Sequence, residues 1–180
     1  MSKLDTVYNF KEGLKRLFFL TSIGKGFWYK VAKLYGWYWR VWKRLRIPRK
    51  YSIEQFFEIL LKEEINYVVL RWFDIFPNIR VGGDIDILVS DSDLNKLEKL
   101  LVRSPIFGGI PCDIYNVSGS PGYNYKYMAY FPPLISSNIL NNSVLYENYI
   151  RVPSPIDHAL SLSYHAIYHK GEDSGIPKDS

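Results

Sequence analysis

The segment Gly82-Gly83-Asp84-Ile85-Asp86-Ile87-Leu88-Val89-Ser90 constrains the fold more than any other stretch of the chain. Strand side chains alternate between two faces. Ile85, Ile87 and Val89 are therefore expected in a core, with Asp84 and Asp86 side by side on the other face. Two carboxylates so placed repel each other unless a cation lies between them. Magnesium takes carboxylate oxygens and keeps water or substrate phosphate as its other ligands. The glycines beside the strand allow a ligand close to the backbone.

The flanking sequence supplies the rest of a mixed α/β domain, a small mixed sheet with flanking helices. Tyr51 to Glu64 has Ile53, Phe56, Phe57, Leu60 and Leu61 at helical spacing, with Ser52 and Gln55 as a capping box. Tyr67 to Leu70 is a short apolar strand. Asp91 to Val102 predicts a helix striped by Leu94, Leu97, Leu100 and Leu101 and capped by Asp91 or Ser92. Ile110 to Val117 predicts a strand carrying Asp113. In a strand-helix-strand unit the two strands can lie adjacent, which brings Asp113 to the Asp84/Asp86 pair. Three carboxylates would then suit two metal ions. The alternative is structural: Asp84 belongs to the turn, Asp86 lies on a solvated edge and Asp113 pairs with an arginine.

Charge divides the chain. Residues 11–50 carry twelve Lys and Arg against Glu12 alone, while residues 51–180 have a net charge of −6. This predicts a basic arm (1–50), an acidic core (51–171) and a frayed tail (172–180). Four of the five tryptophans lie in the arm. On a helical wheel over 27–46, Trp28, Val31, Tyr35, Tyr38, Trp39, Trp42 and Leu45 share one half and Lys30, Lys33, Arg40, Lys43 and Arg44 the other, with Tyr29, Trp37 and Arg46 out of place. Pro48 closes the helix. An amphipathic helix of this kind suits an anionic membrane surface. It also suits packing on the core or a partner protein, and interleaved cations and aromatics suit nucleic acid.

Ser154-Pro155-Ile156-Asp157 is a helix start, and Gly171 ends the helix. His158, His165 and His169, all the histidines of the chain, fall on one stripe of it. They fit phosphate contact, acid–base chemistry, a His165/His169 metal pair, or burial among tyrosines. The stretch from Ser118 through Tyr123 to Phe131-Pro132-Pro133 reads as a loop over the mouth of the sheet, and Val144 to Val152 as a strand or hairpin. The single cysteine, Cys112, leaves no intramolecular disulfide and favours a reducing, cytoplasmic setting. The first residues lack a signal-peptide pattern, and no run of about 18 apolar residues exists to cross a bilayer.

Strand 67–70, GGDIDILV, the following helix and the Asp113 strand resemble the core of the nucleotidyltransferase superfamily typified by DNA polymerase beta, in particular its small bacterial branches. Residues 152–171 resemble the histidine-bearing helix that follows that core. The resemblance implies that Asp84, Asp86 and Asp113 hold Mg2+ (or Mn2+), with Asp113 also a possible base. It implies that a nucleoside triphosphate gives its nucleotidyl group to a hydroxyl or amine. The chain departs from the family pattern where Gly82-Gly83 abut Asp84 and the upstream turn reads Arg71-Trp72-Phe73. Arg71 and Arg80 then become the expected phosphate-binding cations, with Gly82, Gly83, His158, His165 and His169 as further nucleotide contacts. Two other functions fit Asp-x-Asp on such a core: a sugar-nucleotide glycosyltransferase of surface-polysaccharide synthesis, and an inactive binding module.

Overall fold

The computed structural model describes residue 34 and residues 44–79, 82–103, 106–119 and 129–171. The chain divides into two units, Met1–Lys43 and Arg44–Ser180. Apart from Leu34, which is helical, the first unit lies outside the described residues, and with it most of the expected 27–46 helix. The C-terminal end of that expectation is corrected: Leu45–Pro48 is strand β1. A residue before proline is driven toward extended backbone, and Leu45 and Ile47 are buried while Arg46 is only half-buried.

The second unit is mixed α/β. After β1 come α1 (Ile53–Lys62), β2 (Tyr67–Val69), a 3-10 turn (Phe73–Ile75), β3 (Ile85–Val89), α2 (Leu94–Leu100) and β4 (Gly108–Asn116). Then follow α3 (Pro133–Asn141), β5 (Val144–Tyr146), β6 (Ile150–Val152) and α4 (Pro155–Tyr164), which continues as a π-helical stretch, His165–Lys170. Four strands form one sheet in the order β1-β4-β3-β2, in which β3 and β4 are parallel and the other pairs antiparallel. Strands β5 and β6 form the expected hairpin.

The sheet has two covered faces. Ile85, Ile87 and Val89 join Phe56, Phe57 and Leu60 of α1 in the larger core cluster. The Phe57 ring stacks 5.6 Å from Tyr67 and 6.0 Å from Phe76. On the other face Val68, Leu70 and Leu88 pack with Tyr130, Phe131, Ile139 and Leu140. All five residues of β3 are buried as a result. Helix α1 begins with the expected capping box, the Ser52 and Gln55 side chains each accepting from the other's backbone N–H. Helix α2 starts later than its sequence suggests, with Asp93 at the N-cap. The expected cap Asp91 instead accepts from Asn116 Nδ2 at 2.7 Å and from the Ser118 N–H at 3.1 Å. Part of the expected loop is helix α3, with proline at its first position. Among the described residues, no helix is long and apolar enough to cross a membrane.

Candidate functional site

The parallel β3–β4 ladder pairs Asp86 with Asp113. Neighbouring strands lie about 4.8 Å apart, so these carboxylates are neighbours on one face, and Asp84, the residue just before β3, joins them. The register of β1 against β4, Leu45 opposite Cys112, brings Arg44 beside Asp113. Arg44 Nε donates to Asp113 Oδ1 at 3.0 Å, and one terminal nitrogen lies 2.8 Å from Asp113 Oδ2 and also donates to Asp84 Oδ2. The guanidinium thus bridges Asp84 and Asp113. Arg44 is a site residue that the sequence reading assigned to the polar side of the arm helix. A signal existed, because Arg44-Leu45-Arg46-Ile47 alternates charged and apolar residues with strand period.

Asp86 has partners of its own. Arg71, just past β2, places a terminal nitrogen 2.8 Å and Nε 3.1 Å from Asp86 Oδ2. The Tyr115 hydroxyl, two residues past Asp113 on the same face, donates to Asp86 Oδ1 at 3.0 Å. Asp86 is 6% exposed, so the solvated-edge alternative does not describe it. Asp84 and Asp113 are more open, with side chains 41% and 40% exposed.

Burial shapes the protonation of this cluster. It pushes the Asp113 carboxyl above its ordinary value; Arg44 pulls it down, and Asp84 and Asp86 push it further up. Burial also opposes the charges of Arg44 and Arg71, but the facing aspartates outweigh it and raise both guanidinium pKa values. Burial, then Asp86 and Asp113, drive the Tyr115 phenol far above its ordinary range, so it remains a donor. Three carboxylates face two guanidiniums, which leaves a residual negative charge. Among the described residues, no group of three or more His, Cys, Asp or Glu side chains is gathered closely enough to hold a metal ion. In the arrangement seen, the Arg44 cation lies between two of the expected ligands.

The histidine stripe reaches two different places. His158 packs 5.0 Å, centroid to centroid, from Phe73 of the 3-10 turn. His165 and His169 reach Tyr130, whose ring lies 4.0 Å from that of His169 and whose hydroxyl bonds His165 Nδ1. The two Nδ1 atoms are 3.3 Å apart. Arg71 lies 6.0 Å over the Tyr130 ring, so the His165/His169 end of the helix adjoins the aspartates through Tyr130 and Arg71. Burial, then Arg71, His169 and Lys170, hold the His165 imidazole down to about 4, neutral near pH 7. His169 is lowered by burial and Arg71, and His158 by burial.

Gly82 adopts φ +82°, and a Cβ there would meet nothing within 4 Å. Its requirement is the left-handed turn into β3 rather than a crowded backbone. Gly83 follows it, half-buried, next to Asp84. Arg80 lies outside the described residues, as do Tyr123, Tyr125 and Tyr127. Compared with protein-family models, curated proteins and solved structures, the chain matches none.

Proposed function

We propose that the chain is a metal-dependent nucleotidyltransferase that works at the cytoplasmic face of a membrane. The observation that carries the reading is the in-register pairing of Asp86 with Asp113 on parallel strands, with Asp84 on the same face and a cation already between Asp84 and Asp113. Their oxygens are the hard donors that Mg2+ or Mn2+ takes, and the place held by Arg44 fits a positive charge. Asp84, Asp86 and Asp113 would hold the metal, which when bound would neutralise phosphate charge and lower the barrier for attack by the acceptor hydroxyl or amine. Arg44, released from the carboxylates, is the cation that would orient the phosphates of a nucleoside triphosphate, while Arg71 stays on Asp86. Neutral His165 and His169 adjoin the aspartates through Tyr130 and Arg71 and suit contact with the nucleotide. The tryptophans, lysines and arginine within residues 27–43 would supply the membrane contact.

The three ion pairs made by Arg44 and Arg71 favour a second reading, an inactive module whose carboxylates are permanently neutralised by arginine. The glycosyltransferase alternative has no such observation behind it. The test is thermal stability with Mn2+ or Mg2+, with and without each nucleoside triphosphate, together with release of pyrophosphate. A ligand that binds the native state raises its stability by mass action. The Asp84→Asn, Asp86→Asn double variant should lose both the shift and the turnover. A wild type with neither response, or a variant indistinguishable from wild type, rejects metal-dependent transfer and leaves the inactive module.

A further inference from the structure

We propose that the turn Ile106–Phe107 and the groove beside it form a second membrane contact, one that docks the core itself on an anionic lipid bilayer. Ile106 is 62% exposed and Phe107 71% exposed, two large apolar side chains adjacent at a turn. The turn is braced rather than loose: the Arg49 N–H donates to the Phe107 carbonyl at 2.9 Å, and Arg49 Nε donates to the Gly108 carbonyl at 3.0 Å. The groove, about 440 Å³, has Tyr51, Leu100 and Val102 on its apolar side and Arg49, Lys50 and Lys99 as its charged residues.

Among the described residues, no acidic side chain lines it. The unit Arg44–Ser180 carries sixteen acids against fourteen bases, so a lining with three bases and no described acid departs from the near balance of the core around it. A protruding apolar pair collared by cations matches the depth profile of an anionic bilayer, where apolar groups enter the acyl boundary and Lys and Arg meet the headgroups. A second copy docked by two-fold symmetry would set the same cations against each other. Nucleic acid would use the cations, but the isoleucine offers no stacking face. None of the residues that hold Asp84, Asp86 or Asp113 lines this groove. The surface shares a membrane with the function proposed above but none of its residues.

The experiment uses the full chain with Ile106→Cys carrying an environment-sensitive fluorophore, the native Cys112 being buried. The probes are phosphatidylcholine vesicles with and without phosphatidylserine. On phosphatidylserine vesicles the label should shift to the blue and be quenched by nitroxide lipids. Lys50→Glu with Lys99→Glu should weaken that response on the order of tenfold or more, with an unchanged circular dichroism spectrum. Phe107→Ser, at an exposed position outside the core, should weaken it without a change in melting temperature. A chain that binds vesicles while its label stays open to aqueous iodide overturns the proposal, because the arm alone then makes the contact. So does equal binding to pure phosphatidylcholine, absence of binding, or the same shift produced by a soluble polyphosphate or nucleic acid without lipid. The label reports on this surface alone, so failure here and failure of the arm or of metal-dependent transfer read out separately.

Discussion

Replacing Arg44 by alanine separates a place-holding cation from a permanent one. Its side chain is 25% exposed and serves two carboxylates that are each about 40% exposed. A fully exposed ion pair contributes about 0–1 kcal/mol, whereas stripping one partner from a buried pair costs about 3–5 kcal/mol. Arg44 falls between these limits, and the loss expected in metal-free buffer is about 2 kcal/mol. For a folded unit of this size that is a fall of roughly 4–8 °C in melting temperature. Metal binding should change in the opposite sense. If Mn2+ must displace the guanidinium, removing it returns up to the same free energy, which tightens the metal by about 10–30-fold. Titration of Mn2+ by calorimetry or thermal shift, without nucleotide, measures this directly. In an Asp113→Asn background both effects should shrink, since the coupling lies in the pair. An Arg44→Ala protein that binds Mn2+ no more tightly than wild type refutes the idea that arginine and metal compete for one place.

Three further outcomes are expected. Phe57→Ala removes a fully buried ring stacked on Tyr67 and Phe76 and should cost about 3–5 kcal/mol, read as a lower urea midpoint at unchanged slope. Ser52→Ala breaks the capping box of α1 and should cost about 1 kcal/mol by the same assay. For His165 the folded pKa is depressed from 6.5 to about 4, so its contribution is present above pH 6.5 and is lost as pH falls toward 4. Asp113, whose pKa is raised, works in the reverse sense, losing stability as pH rises through its titration. The difference between wild type and His165→Asn therefore isolates the histidine. The variant should show a shallower loss of stability between pH 6.5 and 4, and parallel curves would show that His165 does not titrate as described.

The sequence made the centre of the site legible because two short-range rules govern it. Period-two alternation assigned Ile85, Ile87 and Val89 to a core, and one helix between two strands was enough to set Asp113 beside Asp86. What escaped depends on long-range packing. Asp86 is enclosed by Arg71 and Tyr115, and Leu88 on the same face of β3 packs with Tyr130, Phe131 and Ile139 of α3, more than forty residues downstream. Helix α3 was hidden because Pro132-Pro133 resembles a loop, although proline also suits the first turn of a helix. Arg44 was drawn into a helical wheel by its neighbours' amphipathicity. Its four-residue strand signal was too short to compete with a pattern spanning twenty residues. A wheel also gives angle without height: His158 and His165 share a stripe, yet seven residues separate them by about 10 Å along the axis. That is enough to set one against Phe73 and the other against Tyr130.

The placement of the two arginines argues for unequal roles. Arg71 lies two residues past β2, its side chain is 15% exposed, and it holds the most buried of the three carboxylates together with Tyr115. Freeing it would strand Asp86 in a low-dielectric setting with a single hydroxyl donor, at several kcal/mol. Arg44 precedes the first paired residue of β1, which pairs with β4 on one side and on the other makes the single Arg46–Val102 bridge. The carboxylates it would leave are already in partial contact with water, so its departure is much the less costly. An incoming divalent ion would therefore exchange with Arg44 while Arg71 stays on Asp86. On the proposed function the two guanidiniums would divide the work, Arg71 holding Asp86 on β3 and Arg44 holding the place of the metal. On this account Arg71→Met should unfold or loosen the core whether or not Mn2+ is present. The defect of Arg44→Ala should instead be repaired by the ion.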